Sequence, residues 1–129
     1  MSDTVRFFIC GSALRGQPDH RVLDGARFLG AMRTASRYRM HSVDDRHPAI
    51  YEVSNNGVAV LGELYELSRD QHHALLAQEP PNLYETGVVL EDGSRARAML
   101  FPQRLVDERS YPDISQFGGW AAYKVQVSQ

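Results

Sequence analysis

The chain has 129 residues, 43% of them hydrophobic, enough to bury one core as a single domain over 1–129. Its 14 basic and 16 acidic residues give a formal charge of −2, and the basic ones are scattered, which argues against nucleic acid or an anionic membrane as partner. There is no apolar run of about 18 residues and no charged lead before an apolar stretch, so a soluble, cytoplasmic protein is expected; the lone cysteine, Cys10, excludes an internal disulfide.

Residues 5–10 are apolar and rich in β-branched and aromatic side chains, predicting a central strand that stops at Gly11. A loop follows over 11–18, then Asp19 caps a short helix through Val22 and Leu23 that Gly25 breaks. Residues 27–34 and 37–43 predict two strands, the second alternating Tyr38, Met40 and Ser42 with Arg37, Arg39 and His41 as a half-exposed strand does. A polar turn over 44–48 leads to a strand over 49–53, and Asn56-Gly57 predicts a type I′ hairpin turn, whose central residues need positive φ. Residues 58–67 form the longest strand candidate, apolar at nearly every position but Glu63 and Glu66, and therefore central and covered on both faces.

Ser68, with Gln71 three residues on, is a capping box opening a helix through Ala74, Leu75 and Leu76. Pro80 and Pro81 end that helix, because the residue before a proline is pushed out of the helical region. Residues 84–91 and 94–101 flank Asp92-Gly93 and predict a second hairpin, and Pro112, with Asp113 or Ser115 as cap, opens a last short helix through Trp120 and Tyr123. Six or seven strands with local hairpins and two or three short helices predict an α+β fold, a small, mostly antiparallel, partly closed β-barrel.

Two places carry chemistry that local rules do not explain. Backbone N–H groups presented after a strand can form an anion-binding concavity, and Gly11 with the Ser12 hydroxyl offers one, although on pattern alone Gly11-Ser12 is a turn. No dinucleotide or nucleotide phosphate loop is present. Glu79 sits at a helix C-terminus, where the macrodipole disfavours negative charge, and the prolines after it have no N–H to offer its carboxylate. Both effects favour the protonated form and move the carboxyl toward neutrality, as a general acid/base requires; the alternative is a solvated helix-end glutamate.

The remaining candidates divide between site and scaffold. Glu63 is either a pocket carboxylate or an edge residue facing water. Cys10 reads as core packing, since its apolar setting raises a thiol pKa. The histidines His20, His41, His47, His72 and His73 show no HExxH, so no metal is expected. Tyr65 and Tyr84 line a pocket or pack, and Gly118-Gly119-Trp120 suggests close backbone packing.

The order of strand, "GSALRGQPDH", "GARFLG", "RTASRYRMHSV", "GELYEL", "LLAQEPP" and "VVLEDGS" resembles the gamma-glutamylcyclotransferase-like superfamily. With the tail "DISQFGGWAAY" it looks closest to the allophanate hydrolase C-terminal domain and its stand-alone relatives. The resemblance runs from Phe7 to Tyr123. It implies that backbone N–H groups of Gly11, Ser12, Ala13 and Leu14 hold a substrate carboxylate or amide, and that Glu79 relays a proton as the substrate's α-amine attacks its own γ-carbonyl. It implies a small-molecule substrate and no cofactor. His20, lower in the loop, Glu63 and Tyr84 are further pocket candidates. The chain departs from the cyclotransferase pattern at Cys10 and Pro80, and from the allophanate hydrolase pattern at Ala13, where that domain carries a histidine tied to a decarboxylating step. No amidase-like segment is present, so the chain is not the full allophanate-hydrolysing enzyme. A non-catalytic metabolite- or partner-binding domain of the same fold and a decarboxylase-like activity are the alternatives.

Overall fold

The computed structural model describes residues 4–127. In chain order its strands are β1 (Val5–Ile9), β2 (Arg27–Arg33), β3 (Tyr38–Val43), β4 (His47–Glu52), β5 (Leu61–Leu67), β6 (Tyr84–Val89) and β7 (Arg95–Leu100). Its α-helices are α1 (Arg69–Ala77), α2 (Gln103–Arg109) and α3 (Trp120–Val127), with 3-10 turns at His20–Leu23 and Ser115–Phe117. Five strands form one sheet in the order β2-β5-β1-β7-β6, antiparallel except where β1 runs parallel to β7, and β3 pairs with β4 in a separate hairpin.

The α+β class and the mostly antiparallel pairing follow from local sequence, as do β1, β5 and the Asp92-Gly93 hairpin. The two sheets are not closed into a barrel. Among the described residues the edges meet at one point, where Thr34 bridges Leu90 and the Ala35 and Glu91 N–H groups donate to the Val89 and Arg33 carbonyls at 2.9 Å each. The sheet therefore curls until its edges touch beyond β2 and β6. Inside the curl lies the core, in which Phe7, Phe8, Met40, Val60, Leu67, Leu90 and Trp120 are buried. A smaller cluster of Phe101, Leu105 and Val106 packs under the β3–β4 hairpin with Val43, Ala49 and Tyr51.

Several local expectations are corrected. Asn56-Gly57 does not join a hairpin: β4 pairs with β3, whereas β5 pairs with β1 and β2. Asn56 has φ 62, but Gly57 does not take positive φ; a Cβ there would meet the Arg37 backbone at 2.7 Å, so this glycine answers a close approach. The type I′ signature of two consecutive positive φ values lies instead at Asp44 (54°) and Asp45 (58°), with Arg46 N–H donating to the Val43 carbonyl at 3.0 Å. β4 accordingly starts at His47, inside the stretch expected to be turn.

Asp19 makes no side-chain cap, and the element it precedes is a 3-10 turn. The last helix starts at Trp120, later than Pro112 suggests: Asp113 instead bridges His41, and its carboxylate accepts the Ser115 N–H at 2.9 Å. Helix α2 has no counterpart in the sequence reading.

Candidate active site

Strand β1 ends at Ile9, and the chain then turns through Cys10 to Ala13 to form one wall of a cleft. Its other walls are His47 and Pro48 at the start of β4, Met99 of β7, Leu83, and Glu79, one residue past the C-cap of α1. The space open to solvent-sized molecules is about 50 Å³, which suits a small group. Four of the residues singled out from sequence, Gly11, Ser12, Ala13 and Glu79, thus share one cleft although they are far apart in the chain.

What places them is local. The capping box forms as written, Gln71 N–H donating to Ser68 Oγ at 3.1 Å and Ser68 N–H to Gln71 Oε1 at 2.7 Å. It fixes the start of α1, and α1 delivers Glu79 beyond its last turn. His72 of α1 pairs with Glu85 of β6, which also contacts Arg97 of β7 at 3.4 Å and so ties the helix to the sheet. Gly11 has no positive φ. Its glycine is needed because a Cβ there would lie 2.7 Å from Pro48 Cδ, so the loop and the β3–β4 hairpin pack directly against each other.

The loop's hydrogen bonds divide its donors. Leu14 N–H is used by the Gly11 carbonyl at 3.0 Å, and the Leu14 side chain is core, so this residue presents no free donor to the cleft. The Ser12 carbonyl accepts Asp19 N–H at 2.9 Å, and the Ala13 carbonyl accepts from His20 Nδ1 at 2.9 Å. Among the described residues, the N–H groups of Gly11, Ser12 and Ala13 have no protein acceptor. Pinned carbonyls on one side and unpaired N–H groups on the other are the makings of an anion cradle.

Glu79 is partly buried, and its carboxyl is pushed up to about 7, by burial first and by the negative charge of Asp19 second. The direction agrees with the sequence argument; the dominant cause is burial rather than helix dipole or missing prolyl donors. Cys10 beside it is buried, and burial together with the charge of Glu79 pushes the thiol up to about 12. At neutral pH it is a packed thiol and no nucleophile.

The other candidates lie outside the cleft. Glu63 accepts from the Arg15 N–H at 3.0 Å, Arg15 Nε at 2.9 Å and the Tyr65 hydroxyl at 3.0 Å. Burial acts to raise its carboxyl, but these bonds outweigh it and hold the group below the usual carboxylate range. It is an anchor for the loop. His20 is spent on the Ala13 carbonyl and on a ring contact with Tyr65, and Tyr84 is 45% exposed on β6, its neighbour Leu83 lining the cleft instead. Among the described residues no group of three or more His, Cys, Asp or Glu side chains is arranged to hold a metal, and no helix is long and apolar enough to cross a membrane.

His47 is the residue that sequence reasoning missed. It is 8% exposed and bonds through Nδ1 to the Pro48 carbonyl at 3.0 Å, which fixes the tautomer with Nδ1 protonated. Its Nε2 has no protein partner, and among the described residues no fully buried side-chain nitrogen or oxygen lacks one, so Nε2 is not sealed from solvent on a residue that lines the cleft. Nothing local in the sequence separates it from the other four histidines; only the fold of the hairpin over Gly11 does.

The model of the allophanate hydrolase C-terminal domain family matches residues 5–125. Among solved structures the chain is similar to a protein specific to uropathogenic E. coli, with 29% identity, TM-score 0.88 and coverage of 96% of this chain and 97% of that one. It is similar to the allophanate hydrolase of Kluyveromyces lactis, with 24% identity, TM-score 0.87 and coverage of 95% of this chain but 21% of the enzyme, so it spans about a fifth of that protein. An AIG2-like protein from Mus musculus shares the fold at 21% identity and TM-score 0.64, over 77% of this chain and 78% of that one. No curated relative matches the chain.

Proposed function

The chain belongs to the allophanate hydrolase C-terminal domain family, and from that premise we propose that its cleft is the active site of a small-molecule enzyme of gamma-glutamylcyclotransferase-like type. The observation that carries the proposal is the meeting, in one cleft, of unpaired loop N–H groups and a carboxyl held near neutrality. The N–H groups of Ser12 and Ala13, with the Ser12 hydroxyl, hold a substrate carboxylate or amide. Glu79 moves the proton.

In the cyclising form of the reaction the substrate's α-amine nitrogen attacks its own γ-carbonyl carbon, forming the ring C–N bond. The bond from that carbon to the departing amine breaks, giving 5-oxoproline and the free amine. Ionised Glu79 takes the proton from the attacking nitrogen and, as the acid, returns it to the leaving nitrogen, so no water or other reactant is consumed. Ring closure is already intramolecular, and the protein's share is orientation and proton transfer. A carboxyl near 7 serves both halves of that relay. To His47, which lines the cleft with Nε2 unpaired, we assign the role of accepting a hydrogen bond from the substrate nitrogen.

The test is a panel of gamma-glutamyl amines, gamma-glutamyl amino acids and small ureido acids, assayed for release of 5-oxoproline, amine or CO₂ by the native protein and Glu79→Gln. Turnover that falls at least 100-fold in Glu79→Gln is expected, at the lower end of what a positioned acid/base contributes. Turnover unchanged by the substitution takes the acid/base role from Glu79, and no turnover across the panel favours a non-catalytic binding domain.

A further inference from the structure

Glu79 stands between two spaces. In front of it is the cleft, and behind it, between the loop and the end of α1, is a chamber of about 50 Å³ lined in part by Ser12, Asp19, Gln78 and Glu79. Room on that scale with several polar partners is what an ordered water needs. Asp19 is exposed, and besides the chamber it lines a larger recess together with Asp44, Arg46, His47 and Arg109. Of the titratable residues lining the chamber, Asp19 and Glu79, only Asp19 also lines that recess. It therefore joins the chamber to the solvent side.

Main-chain bonds hold Asp19 in place: its N–H donates to the Ser12 carbonyl at 2.9 Å and its carbonyl accepts the Val22 N–H at 3.1 Å. Its side chain makes no cap bond to the 3-10 turn that follows. The titratable groups facing Glu79 are Cys10 and His47 from the cleft and Asp19 from the chamber, and no lysine or arginine lines either space. No ion pair therefore locks Glu79 in one protonation state. The cyclising reaction asks more of this carboxyl than one proton transfer. An α-amine is mostly an ammonium at neutral pH, and it attacks only as the free amine. Two protons must leave the attacking nitrogen, the first before attack and the second as the ring bond forms, and one stays on the ring nitrogen. Glu79 hands the second to the leaving nitrogen. It must shed the first before the second arrives, while the substrate fills the cleft in front.

We propose that the chamber and Asp19 form the route by which Glu79 exchanges that first proton with solvent. The inference rests on the enzyme reading above. The α-ammonium gives a proton to ionised Glu79, which passes it through water in the chamber to the Asp19 carboxylate, and Asp19 releases it to bulk water. Glu79 is then ionised again for the attack. The departing amine takes one proton from water after release, so one proton leaves, one returns and no other reactant is needed. Asp19 touches no reacting atom: it is a positioning residue for the proton of Glu79. Its negative charge also raises the Glu79 carboxyl, a separate effect that the experiment distinguishes from the relay.

The test follows kcat and KM against pH for the native protein, Asp19→Asn and Asp19→Glu, using the panel compound that the native protein turns over fastest. In Asp19→Asn the plateau of kcat above pH 7 falls about 10-fold, less than the loss of a direct acid/base, while KM is unchanged. Added imidazole, which titrates near neutrality, restores that plateau in proportion to its concentration and leaves the native rate alone. Asp19→Glu, which keeps an ionisable carboxyl, recovers part of it. A profile that moves to lower pH with its plateau kept overturns the relay and leaves Asp19 acting by its charge alone. A lost plateau that neither imidazole nor Asp19→Glu restores overturns it too, and makes Asp19 a packing residue. Both outcomes leave the enzyme reading standing, whereas no turnover by the native protein removes that reading and the relay with it.

Discussion

A carboxyl whose ionised form is disfavoured in the folded protein is a cost to the fold as well as a tool. The Glu79 carboxyl rises from an ordinary 4.5 to about 7, so between those values the folded state binds a proton that the unfolded state does not. The resulting stabilisation is fully present below about 4.5 and is lost as pH rises through about 7. The shift corresponds to at most about 3 kcal/mol, less where water reaches the group. Glu79→Gln, which removes the ionisable group, is therefore expected to match the native protein in denaturant unfolding near pH 4 and to be more stable by about 1–3 kcal/mol at pH 8. On the proposed acid/base role, kcat/KM of the native protein is expected to rise through about pH 7 as the base form appears, and Glu79→Gln to lose both the activity and that limb of the profile. An equal stability difference at pH 4 and pH 8 would remove the buried charge from the account. Glu79 was legible because prolines and a helix end left its carboxylate without local partners, whereas His47 was not, since nothing beside it in sequence announces that Pro48 will pack on Gly11.

Between elements, the contact that shapes the cleft is loop against hairpin. Strand identities, the capping box and the Asp92-Gly93 hairpin could be read locally because each is set by residues within about four positions of one another. Pairing across the chain could not: Asn56-Gly57 has hairpin chemistry, yet the chain passes β3 and enters the other sheet, held by the Val58 N–H donating to the Tyr38 carbonyl at 2.7 Å. Helix α2 escaped because its seven residues carry only Leu105 and Val106 as buried apolar side chains, too few for a helical period. The Gly11–Pro48 approach belongs to the same non-local class, and it is testable. In Gly11→Ala a Cβ would start 2.7 Å from a stiff prolyl ring, and either the loop or the hairpin must move, at about 1–3 kcal/mol by analogy with overpacked cores. Pro48→Ala alone loses packing, but in the double variant the new methyl occupies the space of the lost ring. The two changes are expected to couple by at least about 0.5 kcal/mol in the favourable direction across the four proteins of a double-mutant cycle. Strict additivity would mean that Gly11 is required for another reason.

For the whole molecule, the decisive feature is that a five-stranded sheet curls until its edges touch once. Strand β6 leaves from beside the cleft, where Leu83 lines it, and ends at the closure, where Leu90 meets Thr34. Thr34 is 2% exposed, and its hydroxyl both donates to the Ala35 carbonyl at 2.8 Å and accepts the Val60 N–H at 2.9 Å. It therefore joins β2, the approach to β5 and, through the bridge, the far edge β6. Thr34→Val keeps the shape but strands the Val60 N–H in the interior, which costs about 1–3 kcal/mol. Thr34→Ser keeps the hydroxyl and gives up one methyl, so it recovers most of that loss. Because the closure is a single bridge, its opening is local: in Thr34→Val the amides of Ala35 and Glu91, which make the two edge-to-edge bonds, exchange with solvent faster than global stability accounts for. The β1–β5 ladder amides follow global stability alone. Hydrogen exchange on native protein, Thr34→Val and Thr34→Ser decides the matter, and uniform acceleration across the sheet in Thr34→Val would mean that the closure is one part of a continuous ladder rather than a latch.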